Sequence, residues 1–555
     1  MPVLADSNRR IRLVLLIFLL IFGIVIGKTV YLQTVRAEAL AAQANEQQVK
    51  EFKFPARRGT IFDRNGRELA VGEDAKSITA DPYHIEDPLK TAEFLAPLLK
   101  VDKSDLLEKF SDRDKSSSVY LARKIDPAAV AVIEDANITG IWIHSEEKRV
   151  YPQKQLAAQV LGFAGTDNQG LAGMELQLDD ILTGTGGSQR IIFDPSGKQI
   201  ETLSLEEGNR GQDVTLTIDQ SLQYEAEKVL SETVSAWSAK GAACIIMNPK
   251  NGEIYAMANT PTVDANNFAG INEEQRRNRT VTDSFEPGSV FKSVTVSAGL
   301  EEGAVAPGQT YHLPPTIELG GYTIKDAVDR DEVDWDLGQI LTHSSNIGAV
   351  TVGMRTGDQK LDSWIRKFGF GSATGIDFPG EESGTVWPPE DWSESTIGNV
   401  PIGQGISVTA IQMASAYATI ANNGVAVTPR LVRAIGDEPV EPAEGRRIMS
   451  EQNSRQLRSY LQQVVEEGGA PLAQIDGYHV AGKTGTAQKL LPDKSGYSEE
   501  NYIGSFIGMV PAADPQLVVL VMVDEPHPFG GGSTVAAPAF QKITRFSLQM
   551  MEIAP

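Results

Sequence analysis

Ser289 stands three residues ahead of Lys292 in Glu286-Pro287-Gly288-Ser289-Val290-Phe291-Lys292, where a proline–glycine break meets an apolar run over 290–300 that Gly303 stops. The pattern predicts a loop feeding a helix, with Ser289 near the first turn and both side chains on one helix face. A serine hydroxyl is a poor nucleophile until a neighbouring base takes its proton, and a desolvated lysine can be that base. Backbone N–H groups at a helix start can also stabilise an oxyanion. The chemistry this suggests is attack on a carbonyl by serine, with lysine as base. The spacing alone does not carry it. Ser145-Glu146-Glu147-Lys148 has the same spacing in a charged stretch without the break, and Ser145 reads as a solvated loop position.

Two further motifs lie downstream. Ser344-Ser345-Asn346 follows the apolar residues 337–341 and precedes Ile347-Gly348-Ala349-Val350, which places it in a loop between helices. Lys483-Thr484-Gly485-Thr486 falls on a strand after Val480. From a strand edge Lys483, Thr484 and Thr486 offer the cationic and hydroxyl donors that a substrate carboxylate needs. Gly485 leaves room for a substrate backbone to pair along that edge. Clustered ammonium groups lower one another's pKa, which favours a neutral Lys292. Lys494-Ser495-Gly496 repeats the lysine–hydroxyl–glycine pattern in a polar loop and reads as a turn.

Ser-x-x-Lys, Ser-x-Asn and Lys-Thr-Gly, in that order and at domain-scale spacing, resemble the motif set of penicillin-binding proteins and serine β-lactamases. Arg58-Gly59-Thr60-Ile61-Phe62-Asp63-Arg64-Asn65-Gly66, Arg149-Val150-Tyr151-Pro152, Gly170-Leu171-Ala172-Gly173-Met174-Glu175 and Gly403-Gln404-Gly405-Ile406-Ser407-Val408-Thr409 are similar to class B, monofunctional penicillin-binding proteins. Ser-Ser-Asn leans towards the cell-division type over the elongation type. The resemblance implies a peptidoglycan D,D-transpeptidase that β-lactams inhibit covalently. In it Ser289 attacks the penultimate D-Ala carbonyl of a D-Ala-D-Ala stem peptide and Lys292 takes the serine proton. Ser344 relays a proton to the leaving amine with electrostatic help from Lys483, and Asn346 binds the donor peptide's amide. Thr484, Gly485 and Thr486 form the substrate bed, with Thr484 and Thr486 on the terminal carboxylate. The backbone N–H groups of Ser289 and Thr486 form the oxyanion hole. No cofactor is implied. The implied partners are a polytopic cell-wall glycosyltransferase and other divisome membrane proteins.

Other members of the wider group fit less well. A class A β-lactamase needs a deacylating glutamate after Ser-x-Asn, and Glu381 and Glu382 in Pro379-Gly380-Glu381-Glu382-Ser383-Gly384 lack that context. A D,D-carboxypeptidase would hydrolyse the same ester. A β-lactam sensor would carry more membrane segments, and a degenerate scaffold would have lost a motif. Gly403-Gln404-Gly405 and Thr409-Ala410-Ile411-Gln412 also read as a glycine turn capped into a helix by Ser407 or Thr409. Tyr502 and Gly530-Gly531-Gly532 read as rim features.

The 555 residues suffice for three or four domains. A net charge of −23 argues against a nucleic-acid partner, which needs a basic face. The single cysteine, Cys244, lies in the apolar run 242–247 and reads as a core residue; the six scattered histidines lack metal-ligand spacing. Residues 11–32 are apolar enough to cross a bilayer, with Lys28 snorkelling, and Arg9, Arg10 and Arg12 precede them. Ala37-Glu38-Ala39 resembles a signal-peptidase site, but the apolar run is long for a cleaved signal. The expected organisation is a cytoplasmic tail over 1–12, a retained anchor over 13–35, a non-catalytic pedestal over 36–210 and the transpeptidase domain over 211–555. This is an α+β chain on a single N-terminal transmembrane helix. A helix is expected over 37–53, a hairpin at Asn65-Gly66, a strand over 211–219 and a helix over 220–239. A second hairpin is expected around Pro249-Lys250-Asn251-Gly252, then helices over 289–422, an acidic proline-containing loop over 437–444 and a helix over 450–467. Strands follow over 478–489, 503–510 and 517–523, and a closing helix over 536–553. The catalytic part is then an antiparallel sheet, assembled from both ends of the domain and covered by helices.

Overall fold

The computed structural model describes residues 3–40, 49–54, 56–111, 118–125, 127–193, 199–267, 270–491 and 496–555. Two compact units emerge. One comprises Met1–Arg57, Asp74–Lys148 and Thr185–Asn209; the other comprises Arg58–Glu73, Arg149–Gly184 and Arg210–Pro555.

The first unit begins with a helix, Val3–Thr34, whose stretch Arg9–Thr34 is long and apolar enough to cross a membrane. The helix expected over 37–53 is corrected in part. Residues 41–48 lie outside the described residues, and Val49–Phe54 is a strand paired antiparallel with Gly187–Phe193. Val49 is β-branched, a residue type that favours a strand once a partner strand exists. The decoy serine is also relocated, because Ser145 lies on the strand Ile141–Val150 and accepts from Lys76 Nζ at 2.9 Å. Positions three apart on a strand point to opposite faces, so Ser145 and Lys148 do not meet. Ile78, Leu95, Leu106, Phe110 and Ile133 belong to this unit's own core.

The second unit is built on a five-stranded sheet. Its strands are β1 (Gly241–Met247), β2 (Ile254–Thr260), β3 (Ala481–Leu490), β4 (Tyr497–Val510) and β5 (Leu517–Asp524). Their order is β2-β1-β5-β4-β3, every pair antiparallel, so both ends of the domain do build one sheet. β1, β2 and β5 are buried along their whole length, which is why they read as continuous apolar runs; Cys244 is fully buried on β1. Helix α1 (Gln220–Ala236), capped by Asp219, and the closing helix Ala536–Met550 share the core with one face of the sheet. The other face meets a second core with α2 (Lys292–Glu301), α3 (Asn346–Thr356), α4 (Ala410–Ala421) and α5 (Glu451–Glu466). Thr409, not Ser407, caps α4, in a capping box with Gln412. The helical middle is less continuous than expected. It contains the hairpin Thr316–Leu319/Tyr322–Lys325, turned by Gly320 and Gly321, and the strand pair Tyr311–Leu313/Val333–Trp335.

This unit also holds a buried charge cluster. Glu175 is fully buried; its Oε2 accepts from Arg58 Nε and its Oε1 from Arg149 Nε, both at 2.6 Å. Arg58 further donates to the carbonyls of Asn168 and Glu175 and to Asp179, and Arg149 donates to the Gly59 carbonyl. The expected hairpin at Asn65-Gly66 is present, with Asp63 Oδ1 accepting from the N–H groups of Asn65 and Arg67.

Candidate active site

Ser289 sits on a single 3₁₀ turn, Gly288–Phe291, which runs directly into α2. The turn needs two glycines. Gly288 has φ +57°, and Gly403 has φ +78° with its Cα so close that a Cβ there would overlap the Gly288 carbonyl. The Gly288 N–H donates to the Gly403 carbonyl at 2.9 Å, tying the serine turn to the loop before α4.

Lys292, the first residue of α2, is fully buried. Its Nζ donates to the Ser344 carbonyl at 2.6 Å, to Asn346 Oδ1 at 2.7 Å and to Ser344 Oγ at 3.3 Å. The first and second motifs are thus hydrogen-bonded to each other. Burial holds the Lys292 pKa well below the ordinary lysine range; the nearby Lys483 charge lowers it further and the Asp326 carboxylate opposes both. Lys483, on β3, is 1 % exposed, and burial brings its pKa down to about 7.

The Ser344–Asn346 turn lies between the short helix Leu337–Thr342 and α3. Ser344 adopts a left-handed backbone, φ +53°, uncommon for a residue with a Cβ and costly unless its surroundings impose it. Those surroundings include a residue that the sequence reading did not single out. Asp326 is buried, accepts from Ser345 Oγ at 3.0 Å and from the Ile347 N–H at 3.0 Å, and pairs with Arg330 Nε at 2.7 Å. Ser345 also caps α3 by accepting from the Gly348 N–H. Asn346 Nδ2 donates to the Lys325 carbonyl at 2.9 Å, which turns its oxygen towards Lys292.

β3 is an edge strand of the sheet, and Lys483, Gly485 and Ala487 are buried on it while Thr486 is exposed. Gly485 has a reason other than the one its sequence suggests. A Cβ there would overlap Ser505 Oγ and crowd the Pro287 carbonyl at 3.1 Å, so the glycine lets the Ser289 turn pack on the strand. Thr486 Oγ1 accepts from the Gly532 N–H at 3.1 Å, which brings the Gly530-Gly531-Gly532 loop to the third motif. Tyr502 packs edge-on against Phe529, ring centroids 4.6 Å apart.

One cleft of ≈ 530 Å³ is lined by Ser289, Ser344, Asn346, Thr484 and Thr486. Its wall includes Trp335, which stacks on His343 at 4.5 Å and lies under the Arg330 guanidinium. The structure therefore brings the three motifs together. The decoys take no part: Ser145 is on the strand described above, and Lys494 and Ser495 lie outside the described residues. Glu381 accepts from the N–H and hydroxyl of Thr374.

Known proteins resemble this chain along nearly its whole length. Residues 242–545 match the penicillin binding protein transpeptidase domain, and residues 53–216 match the penicillin-binding protein dimerisation domain. The chain is 36 % identical to the probable peptidoglycan D,D-transpeptidase PbpC of Pseudomonas aeruginosa over 99 % of this chain and 96 % of that one. It is 31 % identical to the peptidoglycan D,D-transpeptidase FtsI of Escherichia coli over 97 % and 91 %. Among solved structures, penicillin binding protein 3 of Mycobacterium tuberculosis in complex with aztreonam superposes with a TM-score of 0.71 at 30 % identity, covering 91 % of this chain and 98 % of that one. With both domains matched and such identities sustained end to end, this single-pass membrane protein belongs to the class B penicillin-binding proteins, the peptidoglycan D,D-transpeptidases of the cell-division type.

Proposed function

We propose that this chain cross-links peptidoglycan stem peptides during septal wall synthesis, through an ester on Ser289. The observation that carries the reading is the fully buried Lys292 amine, near a second buried lysine and held by Ser344 and Asn346, which line one cleft with Ser289. A neutral amine in that position can accept the Ser289 proton as the Oγ–C bond forms to the penultimate D-Ala carbonyl. The N–H groups of Ser289 and Thr486 receive the oxyanion. As the C–N bond breaks, the proton passes by way of Ser344 to the leaving D-Ala amine, and the Lys483 charge favours that transfer. Asn346 orients Lys292 and the donor amide, and Thr484 and Thr486 hold the terminal carboxylate. The amine of a second stem peptide then attacks the ester, its proton returning through the same groups, and Ser289 is regenerated.

A β-lactam would enter the same path up to the ester. The aztreonam complex of the Mycobacterium tuberculosis protein supports this reading. We assign residues 36–210 to a pedestal that engages a polytopic glycosyltransferase and other divisome proteins, and 211–555 to the catalytic domain. The arginines at 9, 10 and 12 favour a cytoplasmic N-terminus and an extracytoplasmic active site.

The test is intact-protein mass spectrometry after incubation with benzylpenicillin. Wild type and Ser145→Ala gain one stable penicilloyl adduct, and Ser289→Ala gains none. Rapid loss of the adduct would move the reading to a hydrolase; no adduct on wild type would leave the catalytic assignment without support.

A further inference from the structure

Glu286, three residues before the nucleophile, takes no part in the chemistry above, yet it joins three separate segments. Its Oε1 accepts from the Gly405 N–H at 3.0 Å and from the Tyr497 hydroxyl at 3.1 Å. Gly405 belongs to the loop whose Gly403 carbonyl receives the Gly288 N–H, so two hydrogen bonds of opposite direction lock residues 286–288 to residues 403–405. Tyr497 is the first residue of β4, so the same carboxylate oxygen ties the outer end of the β3–β4 hairpin to the serine turn.

The second oxygen, Oε2, is buried and makes no hydrogen bond among the described residues. A buried carboxylate oxygen without a donor costs stability, and glutamine would fill the same volume with no charge to desolvate. Burial accordingly pushes the Glu286 carboxyl pKa up, against the lowering effect of its two donors. The feature is therefore ill-suited to holding the fold and well-placed to hold the turn. Residues that break a local rule without gain in stability concentrate at functional sites.

We propose that Glu286 is a positioning residue for the acyl-transfer reaction: by accepting from Gly405 and Tyr497 it sets the Ser289 turn against the Gly403–Gly405 loop and couples that setting to the end of the β3–β4 hairpin. This rests on Ser289 being the nucleophile. Its effect falls on the covalent step, because displacing a nucleophile by an ångström slows reaction far more than it weakens reversible binding.

The experiment resolves benzylpenicillin acylation of the full chain by stopped flow into the reversible dissociation constant and the first-order acylation constant. The variants are Glu286→Ala, Glu286→Gln and Tyr497→Phe, each with its thermal midpoint. Glu286→Ala lowers the acylation constant about tenfold or more and changes the dissociation constant by less than about threefold. Glu286→Gln, whose amide oxygen accepts the same two bonds, recovers acylation to within about threefold of wild type. Tyr497→Phe, which removes one donor and no packing volume, gives a smaller loss in the same constant. Equal losses for alanine and glutamine overturn the proposal, as does a loss confined to the dissociation constant. Should Glu286→Ala fail to fold, Tyr497→Phe decides: an unchanged acylation constant overturns the proposal and a lowered one supports it. A wild type that gains no adduct overturns the assignment of Ser289, and this inference with it, whereas acylated wild type with unaffected variants overturns this inference alone.

Discussion

Lys292→Met slows penicilloyl formation by about 10²–10⁴-fold, the usual worth of a positioned general base, while the thermal midpoint holds or rises. Methionine is close to lysine in length and suits a site with no exposure, so the loss reports chemistry and not packing. A pH dependence accompanies this loss. In the proposed mechanism only neutral Lys292 takes the Ser289 proton, so acylation by the wild type climbs as pH rises through the Lys292 pKa. The Lys483 charge is one cause of the low Lys292 pKa. Lys483→Met removes that cause, so the Lys292 pKa rises and the acid limb of the rate profile moves to higher pH. An acid limb that stays in place or moves down would sink this account of the two lysines. Stability carries the matching sign. Lys483 ionises near 7 when folded and in its ordinary range when unfolded, so the unfolded chain binds more protons between those values and stability rises with pH across them.

Glu175→Ala destabilises the second unit by about 3–5 kcal/mol, the cost of leaving buried charge unpaired. The substitution strands the Arg149 guanidinium and leaves Arg58 with one carboxylate in place of two. Arg58 and Arg149 have side chains 1 % and 3 % exposed, and each gives a 2.6 Å bond to Glu175. Arg149 is left with the Gly59 carbonyl, which does not neutralise it, while Arg58 keeps the Asp179 carboxylate at 2.6 Å together with two backbone carbonyls. The Tyr151 hydroxyl, 3.2 Å from Glu175 Oε1, loses its acceptor as well. Urea denaturation of the variant reads the effect directly; a loss below about 1 kcal/mol would mean that the cluster is hydrated or that its charges are balanced elsewhere.

The three motifs were legible because each is local. A serine and a lysine three apart, or four residues along a strand, state their own geometry once the helix and strand periods are known. The sheet was legible for a related reason: β1, β2 and β5 are buried on both faces and read as unbroken apolar runs. What the sequence hid is what depends on partners far along the chain. Asp326 is an unremarkable acid until Ser345 and Ile347 are seen to donate to it, and Glu286 until Gly405 and Tyr497 do. Gly485 was legible as a glycine with a purpose, but the neighbour it makes room for comes from Pro287 and Ser505. The helix expected over 37–53 holds at 37–40 and fails at 49–53 for the converse reason: polar, alanine-rich composition suits a helix, and pairing with Gly187–Phe193 overrides it for Val49–Phe54. The hairpin turned by Gly320-Gly321 did leave a local sign, a two-glycine break between short β-branched stretches, that the helical pattern around it masked.

The order of strands in the catalytic sheet bears on how the enzyme comes into being. Cys244 on β1 pairs with Val521 on β5, and β3, which carries Lys483, reaches β1 only by way of β4 and β5. Ser289 and Ser344 are emplaced by helices made between these two groups of strands. Contacts so remote in sequence have a high loop-closure cost and form slowly. A chain emerging N-terminus first therefore carries Ser289 and Lys292 through the synthesis of all the helices up to α5 before the strand bearing Lys483 appears. Until β5 arrives, β1 is an open, wholly apolar edge, which is the period of greatest aggregation risk. Competence to acylate, and susceptibility to any inhibitor that acts through Ser289, begin together and late, when the last strands close the sheet.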